Sequence, residues 1–309
     1  VTSLVLIRQH HSDKKALTPG GLMRIILAVL FFVFTSRLYA YTYLSTPIYE
    51  IDMGQRNETP LIYLATGQVV TYPKINGSII KRIKKGIKNR VWFSFKINRA
   101  REIIKLDEID PPEQKNFRTN LLQEENVFSP SIIKNLDVAR SYFYDARPNI
   151  KEESQCFNRA HVWAYEWRIK HNLYSSKIWL FFTRKFIRKY KFEWWFHVSP
   201  MIHVVIDDQV KERVLDIKYA RGPLKQKDWT DIFMRDKANC PVIQKYSDQA
   251  NFPESGSCFV MKSSMYYYRP LDLERKETFR EEKTKWVENE VKEAFLEAFD
   301  ITFGSQNEK

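Results

Sequence analysis

The chain has 309 residues, 44% hydrophobic, 15% aromatic and 28% charged, with a formal net charge of +13. That length suits one well-buried core plus a smaller unit, and sparse glycine and proline without low-complexity stretches exclude a fibrous or disordered protein. No fixed-period repeat is present, which excludes solenoids and propellers.

In chain order the first feature is a leader. Met23-Arg24 precede an unbroken apolar run from Ile25 to Phe34, followed by Arg37 and Leu38-Tyr39-Ala40. A short basic start, an apolar stretch and a small residue at its end predict a secretory signal peptide over residues 23–40. The run falls short of the about 20 apolar residues a membrane span needs. Residues 1–22 then read as upstream residues ahead of a start at Met23, and the expected location is secreted or periplasmic, with no stable membrane span after signal removal. An uncleaved interfacial anchor is the alternative. Residues 1–40 hold five Lys/Arg and one Asp, so the remainder carries a net charge of +9. No nucleic-acid motif accompanies that charge, and no nucleic-acid partner is expected.

Residues 41–120 read as a small, mainly β N-terminal region. Strand candidates are Leu61 to Leu64, Val69 to Tyr72 and Val91 to Ile97, with turns at Asn76-Gly77 and Asp110-Pro111-Pro112. Between Lys81 and Lys105 stand ten Lys/Arg and a single acid. This is either a surface for anionic polymers or membranes, or the solvated face of strands and a short helix. Pro111 to Glu125, polar and proline-bearing, is the expected linker and a candidate processing site.

Residues 121–309 read as the catalytic domain. A helical pattern runs from Ser129 to Tyr144, and Ser154 is placed to cap a helix from Gln155 to His171. Cys156 falls in the first turn of that helix, where free backbone N–H groups and the positive dipole end favour a thiolate. Cys156, Ala160, Trp163, Ala164 and Trp167 share one face, which predicts that this face, and Cys156 with it, is buried. The partner is an antiparallel sheet from Lys177 to Phe182, Lys191 to Ile206 and Lys211 to Ile217, with Asp207 to Val210 as a hairpin tip. A short helix at Trp229 to Met234, a strand at Met265 to Tyr268 and a long charged helix from Leu271 to Phe299 complete an α+β fold.

Three cysteines are present, Cys156, Cys240 and Cys258. In an oxidising compartment an odd count predicts one pair and one free thiol. Cys240 and Cys258 enclose a polar loop and are the disulfide candidates, which leaves Cys156 as the odd one. A thiol at a helix start needs a base, and the base an orienting group. His161 and His171 lie on the Cys156 helix at unsuitable spacings. His197 sits in an apolar strand. In a hairpin with a two-residue loop Asp216 opposes Ser199 or Met201, on the same face as His197. His203 shares that parity and stays open as an alternative. So do the plainer readings, in which Cys156 is an inert small hydrophobe and His197 a satisfied polar group. No pair has metal-ligand spacing, so neither metal nor cofactor is expected.

Three stretches resemble the protein-glutamine glutaminase (protein deamidase) family, whose core is similar to that of transglutaminases and papain-like thiol proteases. They are Cys156-Phe157-Asn158-Arg159-Ala160-His161, Trp195-Phe196-His197-Val198-Ser199-Pro200, and Val214-Leu215-Asp216, with Pro223 through Trp229 echoing a following element. Ser199 stands where the family has Ala, and Ile217 where it has Pro. The resemblance spans residues 130 to 270. It implies Cys156 as nucleophile, His197 as base and acid, and Asp216 as orienter. It also implies acyl transfer from a protein-bound glutamine, and an N-terminal pro-region, a role open to residues 41–120. Oxyanion donors are expected at the Cys156 backbone N–H and the Gln155 side chain, and Trp194 and Trp195 are candidates for the cleft wall. The expected partners are proteins or peptides with accessible glutamine. The rivals are a thiol peptidase or transglutaminase with the same trio, and a non-enzymatic secreted basic binding protein.

Overall fold

The computed structural model of the chain describes residues 41–55, 58–111, 128–251, 256–279 and 283–302. The expected signal segment, the residues before it and nearly all of Pro111 to Glu125 lie outside the described residues.

The first sheet is built from β1 (Thr42–Asp52), β2 (Leu61–Leu64), β3 (Val69–Thr71), β4 (Trp92–Ile97) and β5 (Ile103–Ile109), in the order β3-β2-β1-β4-β5. Phe93, Phe95 and Ile97 alternate inward along β4, as a half-buried strand requires. Helix α1 (Gly77–Asn89) covers that face. Asn76 caps it by accepting from the Ile79 N–H at 3.0 Å, and Ile83 and Gly86 face inward while Lys81, Lys84 and Lys85 stay in water.

The second sheet has the order β10-β11-β7-β8-β6, with β9 added beside β8. Its strands are β6 (Ile132–Ile133), β7 (Ser176–Phe182), β8 (Phe196–Ile206), β9 (Gln209–Val214), β10 (Val242–Ile243) and β11 (Cys258–Ser264). Every residue of β7 is buried, as expected of a central strand covered on both faces. The helices are α2 (Leu136–Asp145), α3 (Cys156–His171), α4 (Arg184–Tyr190), α5 (Gln226–Phe233), α6 (Pro270–Phe279) and α7 (Glu288–Phe299). Helix α3 lies on β8 and is itself covered by α7. No helix among the described residues is long and apolar enough to cross a membrane.

Several elements differ from the sequence expectation, each for a local reason. The cap of α3 is Gln155, without a side-chain bond. Ser154 instead donates to the Lys151 carbonyl and accepts from Arg159. Burial on α3 is not confined to one face, since α7 covers what β8 leaves open. Asn135 caps α2, so the helix expected from Ser129 begins only at Leu136. The segment Lys191 to Ile206 becomes strand only at Phe196. Met265 to Tyr268 is a turn, and the strand beside β7 is β11. The terminal helix is broken because the chain between α6 and α7 drives Trp286 fully into the core, against Tyr266 and His161.

The two sheets are fastened through the β2–β3 turn. Val69 N–H donates to the Glu193 carbonyl at 2.8 Å, and Trp195 N–H to the Gly67 carbonyl at 3.0 Å. Leu61, Tyr63 and Val69 pack into the core of the second sheet, and Tyr49 stacks on Trp195 at 4.5 Å. Arg188 pairs with Asp52 at 2.7 Å, and Arg101 with Glu193 at 2.6 Å. Gly67 has φ +93, and a Cβ there would come within 2.9 Å of the Phe196 ring. Gly67→Ala is therefore expected to destabilise the fold by about 1–3 kcal/mol, read as a lowered urea midpoint.

Candidate active site

Cys156 is the first residue of α3, so its backbone N–H has no acceptor within the helix and faces outward at the positive end. Its thiol is free, and the residue as a whole is half-buried. The sulfur accepts from the Val198 backbone N–H on β8 and is hydrogen-bonded to the His197 ring. His197, 1% exposed, is the second residue of β8. Its Nε2 lies 2.7 Å from Asp216 Oδ2, which leaves Nδ1 as the nitrogen for the thiol.

The hairpin explains why the acid arrives there. Asp207 and Asp208 form a two-residue tip with φ of 51 and 57, the conformation of a type I′ turn. The register pairs Ile206 with Gln209 and Met201 with Val214. Continued by two residues, it sets Asp216 beside Ser199, on the face that carries His197. Leu215 N–H donates to Pro200 O at 2.9 Å and Ser199 Oγ to Leu215 O at 3.0 Å, holding the chain as it leaves the strand. Asp216 Oδ2 also accepts from Trp229 Nε1 of α5 at 2.9 Å. Beyond Asp216 the chain forms a short closed loop. Ala220 N–H returns to Asp216 O at 2.9 Å, and Val214 and Leu224 exchange both backbone bonds at 2.8 and 3.0 Å.

Burial by itself would discharge all three groups, and their mutual contacts reverse that. Burial would lower the His197 pKa, but the Asp216 charge and hydrogen bond, with Cys156, raise it to about 9. Burial would raise the Asp216 pKa, and His197, Trp229 and Arg159 hold it below the usual carboxylate range. Burial would likewise raise the Cys156 thiol, and His197, Arg159 and the Val198 N–H bring it below an ordinary thiol. Phe233, Tyr219, Trp229 and Trp194 surround the imidazole at 4.4, 5.3, 5.7 and 6.2 Å. This wall keeps bulk water from screening the pair.

Other candidates fall elsewhere. Trp194 stacks over His197, whereas Trp195 packs against Phe181 and donates to Leu64 O. The Gln155 amide donates to Glu153 O at 3.3 Å, and its side chain lines a cleft of about 750 Å³ shared with Pro47, Trp92 and Arg269. His203 sits 3.7 Å from Glu212 along the hairpin, His171 pairs with Asp145, and His161 is fully buried against Lys177. Cys240 and Cys258 are disulfide-bonded. A Cys156 held in a disulfide or far from His197, which would favour the non-enzymatic reading, is not what the fold contains. No group of three or more metal-ligating side chains occurs among the described residues. Sequence reasoning missed Arg159 and Tyr219, although Arg159 stands one turn from Cys156.

Residues 137–233, which hold Cys156, His197 and Asp216, match the family model described as glutaminase. This defines the class as a deamidating hydrolase acting on amide C–N bonds. Within that class the matched stretch is similar to glutaminases, and the solved structures with the same fold are those of protein-glutaminases. Two crystal structures of pro-protein-glutaminase share the fold. A mutant form, 14% identical, covers 81% of this chain and 89% of its own, with a TM-score of 0.51. The other, also 14% identical, covers 86% and 96%, with a TM-score of 0.50. No curated protein matches the chain.

His197, raised from 6.5 to about 9, contributes stability that is complete below pH 6.5 and lost as pH rises through about 9. Asp216, held below 3.8, contributes stability present above 3.8 and lost as pH falls through its lowered value. Asp216→Asn is expected to destabilise most between pH 3.8 and 6.5, with the deficit shrinking as pH passes 9. An NMR titration of His197 should fall further in Asp216→Asn than in Cys156→Ser, because Asp216 is the larger cause of the rise.

Proposed function

We propose that this protein converts glutamine side chains of proteins or peptides to glutamate through a thioester on Cys156. The observation that carries this reading is the hydrogen-bonded chain from Cys156 through His197 to Asp216, set at a helix start inside the matched residues 137–233. The Cys156 thiolate attacks the carboxamide carbon, and the carbonyl electron pair moves to oxygen. The Cys156 N–H is the nearest oxyanion donor at the start of α3, and the Gln155 amide would have to leave Glu153 to act as a second. The His197 imidazolium passes its proton to the nitrogen, the C–N bond breaks and ammonia leaves. Water then gives a proton to His197 as it attacks the thioester carbon, and the C–S bond breaks to release glutamate and the thiolate. Asp216 fixes the ring tautomer and stabilises the imidazolium.

With a glutamine-rich protein as substrate, the expected products are ammonia and an uncut, uncrosslinked polypeptide. Cys156→Ala should reduce the rate by about 10³ or more. Peptide fragments or lysine cross-links by mass spectrometry would assign a peptidase or transglutaminase instead.

The expected signal over residues 23–40 and the Cys240–Cys258 bond support export to an oxidising compartment. The likeness to pro-proteins supports a pro-region role for the N-terminal sheet. Because Leu61, Tyr63 and Val69 share the core of the second sheet, cutting within residues 112–127 should leave the two parts associated. They are expected to co-elute on gel filtration after limited proteolysis and to part only in denaturant. Separate elution in plain buffer would contradict this.

A further inference from the structure

Arg159 is left unused by that chemistry, yet it stands one turn after Cys156 on α3 and is only 3% exposed. Long side chains on a helix lean back toward its N-terminus. Arg159 accordingly donates from Nη1 to the Ser154 carbonyl and, at 3.0 Å, to Ser154 Oγ. It also hydrogen-bonds the Tyr219 side chain, with its guanidinium 6.0 Å from that ring. Its Nε is buried without a partner. None of the ion pairs among the described residues involves Arg159.

A buried guanidinium is ordinarily matched by a carboxylate, because arginine does not shed its proton. The anions Arg159 faces here are the Cys156 thiolate and Asp216. With His197 as imidazolium the trio carries one net negative charge, and Arg159 brings the buried group to neutrality. Lys218 is also near, half-buried in the loop after Asp216, but its ammonium donates to Glu152 O and Glu152 shares its field. From α5 the site is faced by Trp229 and Phe233.

We propose that Arg159 is a positioning residue: its guanidinium neutralises the thiolate–imidazolium–carboxylate trio and ties the loop before α3, at Ser154, to the loop after Asp216, at Tyr219. This rests on the reading of Cys156 as nucleophile. Cys156 is the single cysteine outside the disulfide, so iodoacetamide labelling reads that thiol alone. In Arg159→Met the midpoint of labelling rate against pH should rise by about one unit, which makes labelling about tenfold slower on the acid side. Arg159→Lys, which keeps the charge, should recover most of that shift, while a residue acting only through packing would not be rescued in this way. Tyr219→Phe, which removes one anchor, should move the midpoint the same way by less, and it serves if Arg159→Met does not fold. Profiles of folded Arg159→Met or of Tyr219→Phe that superimpose on the wild type would overturn the proposal. Labelling needs no glutamine. Shifted variant profiles alongside a wild-type protein that releases no ammonia would therefore sink the deamidase reading alone, and wild-type ammonia release with unshifted variant profiles would sink this one alone.

Discussion

An imidazole buried to 1% exposure keeps a proton only where a matched anion is held against it. The contact of His197 Nε2 with Asp216 Oδ2 meets that condition, and three elements from distant parts of the chain converge to make it. The β8–β9 hairpin brings the acid to the right face, α5 supplies the Trp229 N–H that satisfies the same oxygen, and the start of α3 delivers the thiol to the other ring nitrogen. Each element alone would leave a buried charge or an unpaired polar atom.

The same logic governs α3. A helix buried all round must find partners for each of its polar side chains. Asn158 accepts from the Tyr268 hydroxyl, and Glu166 pairs with Arg147. His161 Nδ1 meets Nζ of Lys177, a fully buried lysine that also donates to Tyr267 O at 2.6 Å. Burial and the nearby Lys283 push the Lys177 pKa far down, and Asp272 and Glu290 balance Lys283. These bonds tie α3 to β7, to Tyr268 ahead of α6 and to Arg147 after α2, so the thiol cannot drift along the helix axis without breaking several of them.

Local chemistry in the sequence foretold some of this and not the rest. The α3 helix was readable because Cys156, Ala160, Trp163, Ala164 and Trp167 recur at helical spacing, and the hairpin because a period of two admits few registers. The disulfide could be read from cysteine count and loop composition. The α4 helix was hidden in a run of aromatic and basic residues whose propensities favour neither state. The strand β11 was obscured by Ser and Lys at its end, since its burial comes from pairing with β7. The break between α6 and α7 follows from where Trp286 is buried, a tertiary fact with no local mark. Arg159 and Tyr219 escaped because a charge neutralised across two loops has no sequence spacing of its own.

The loop after Asp216 has both ends sewn to the scaffold, by the Val214–Leu224 bonds and by the return of Ala220 to the Asp216 carbonyl. Its tip carries Arg221, exposed at the surface, and Lys225 follows at the loop's exit. The acid's position is thus set by backbone bonds that these outward side chains do not enter. Substitutions at these outward positions can therefore change the surface of the loop without moving the acid. The loop's outward surface and the placement of the acid are separable here, which gives a designer a stretch of chain in which to work.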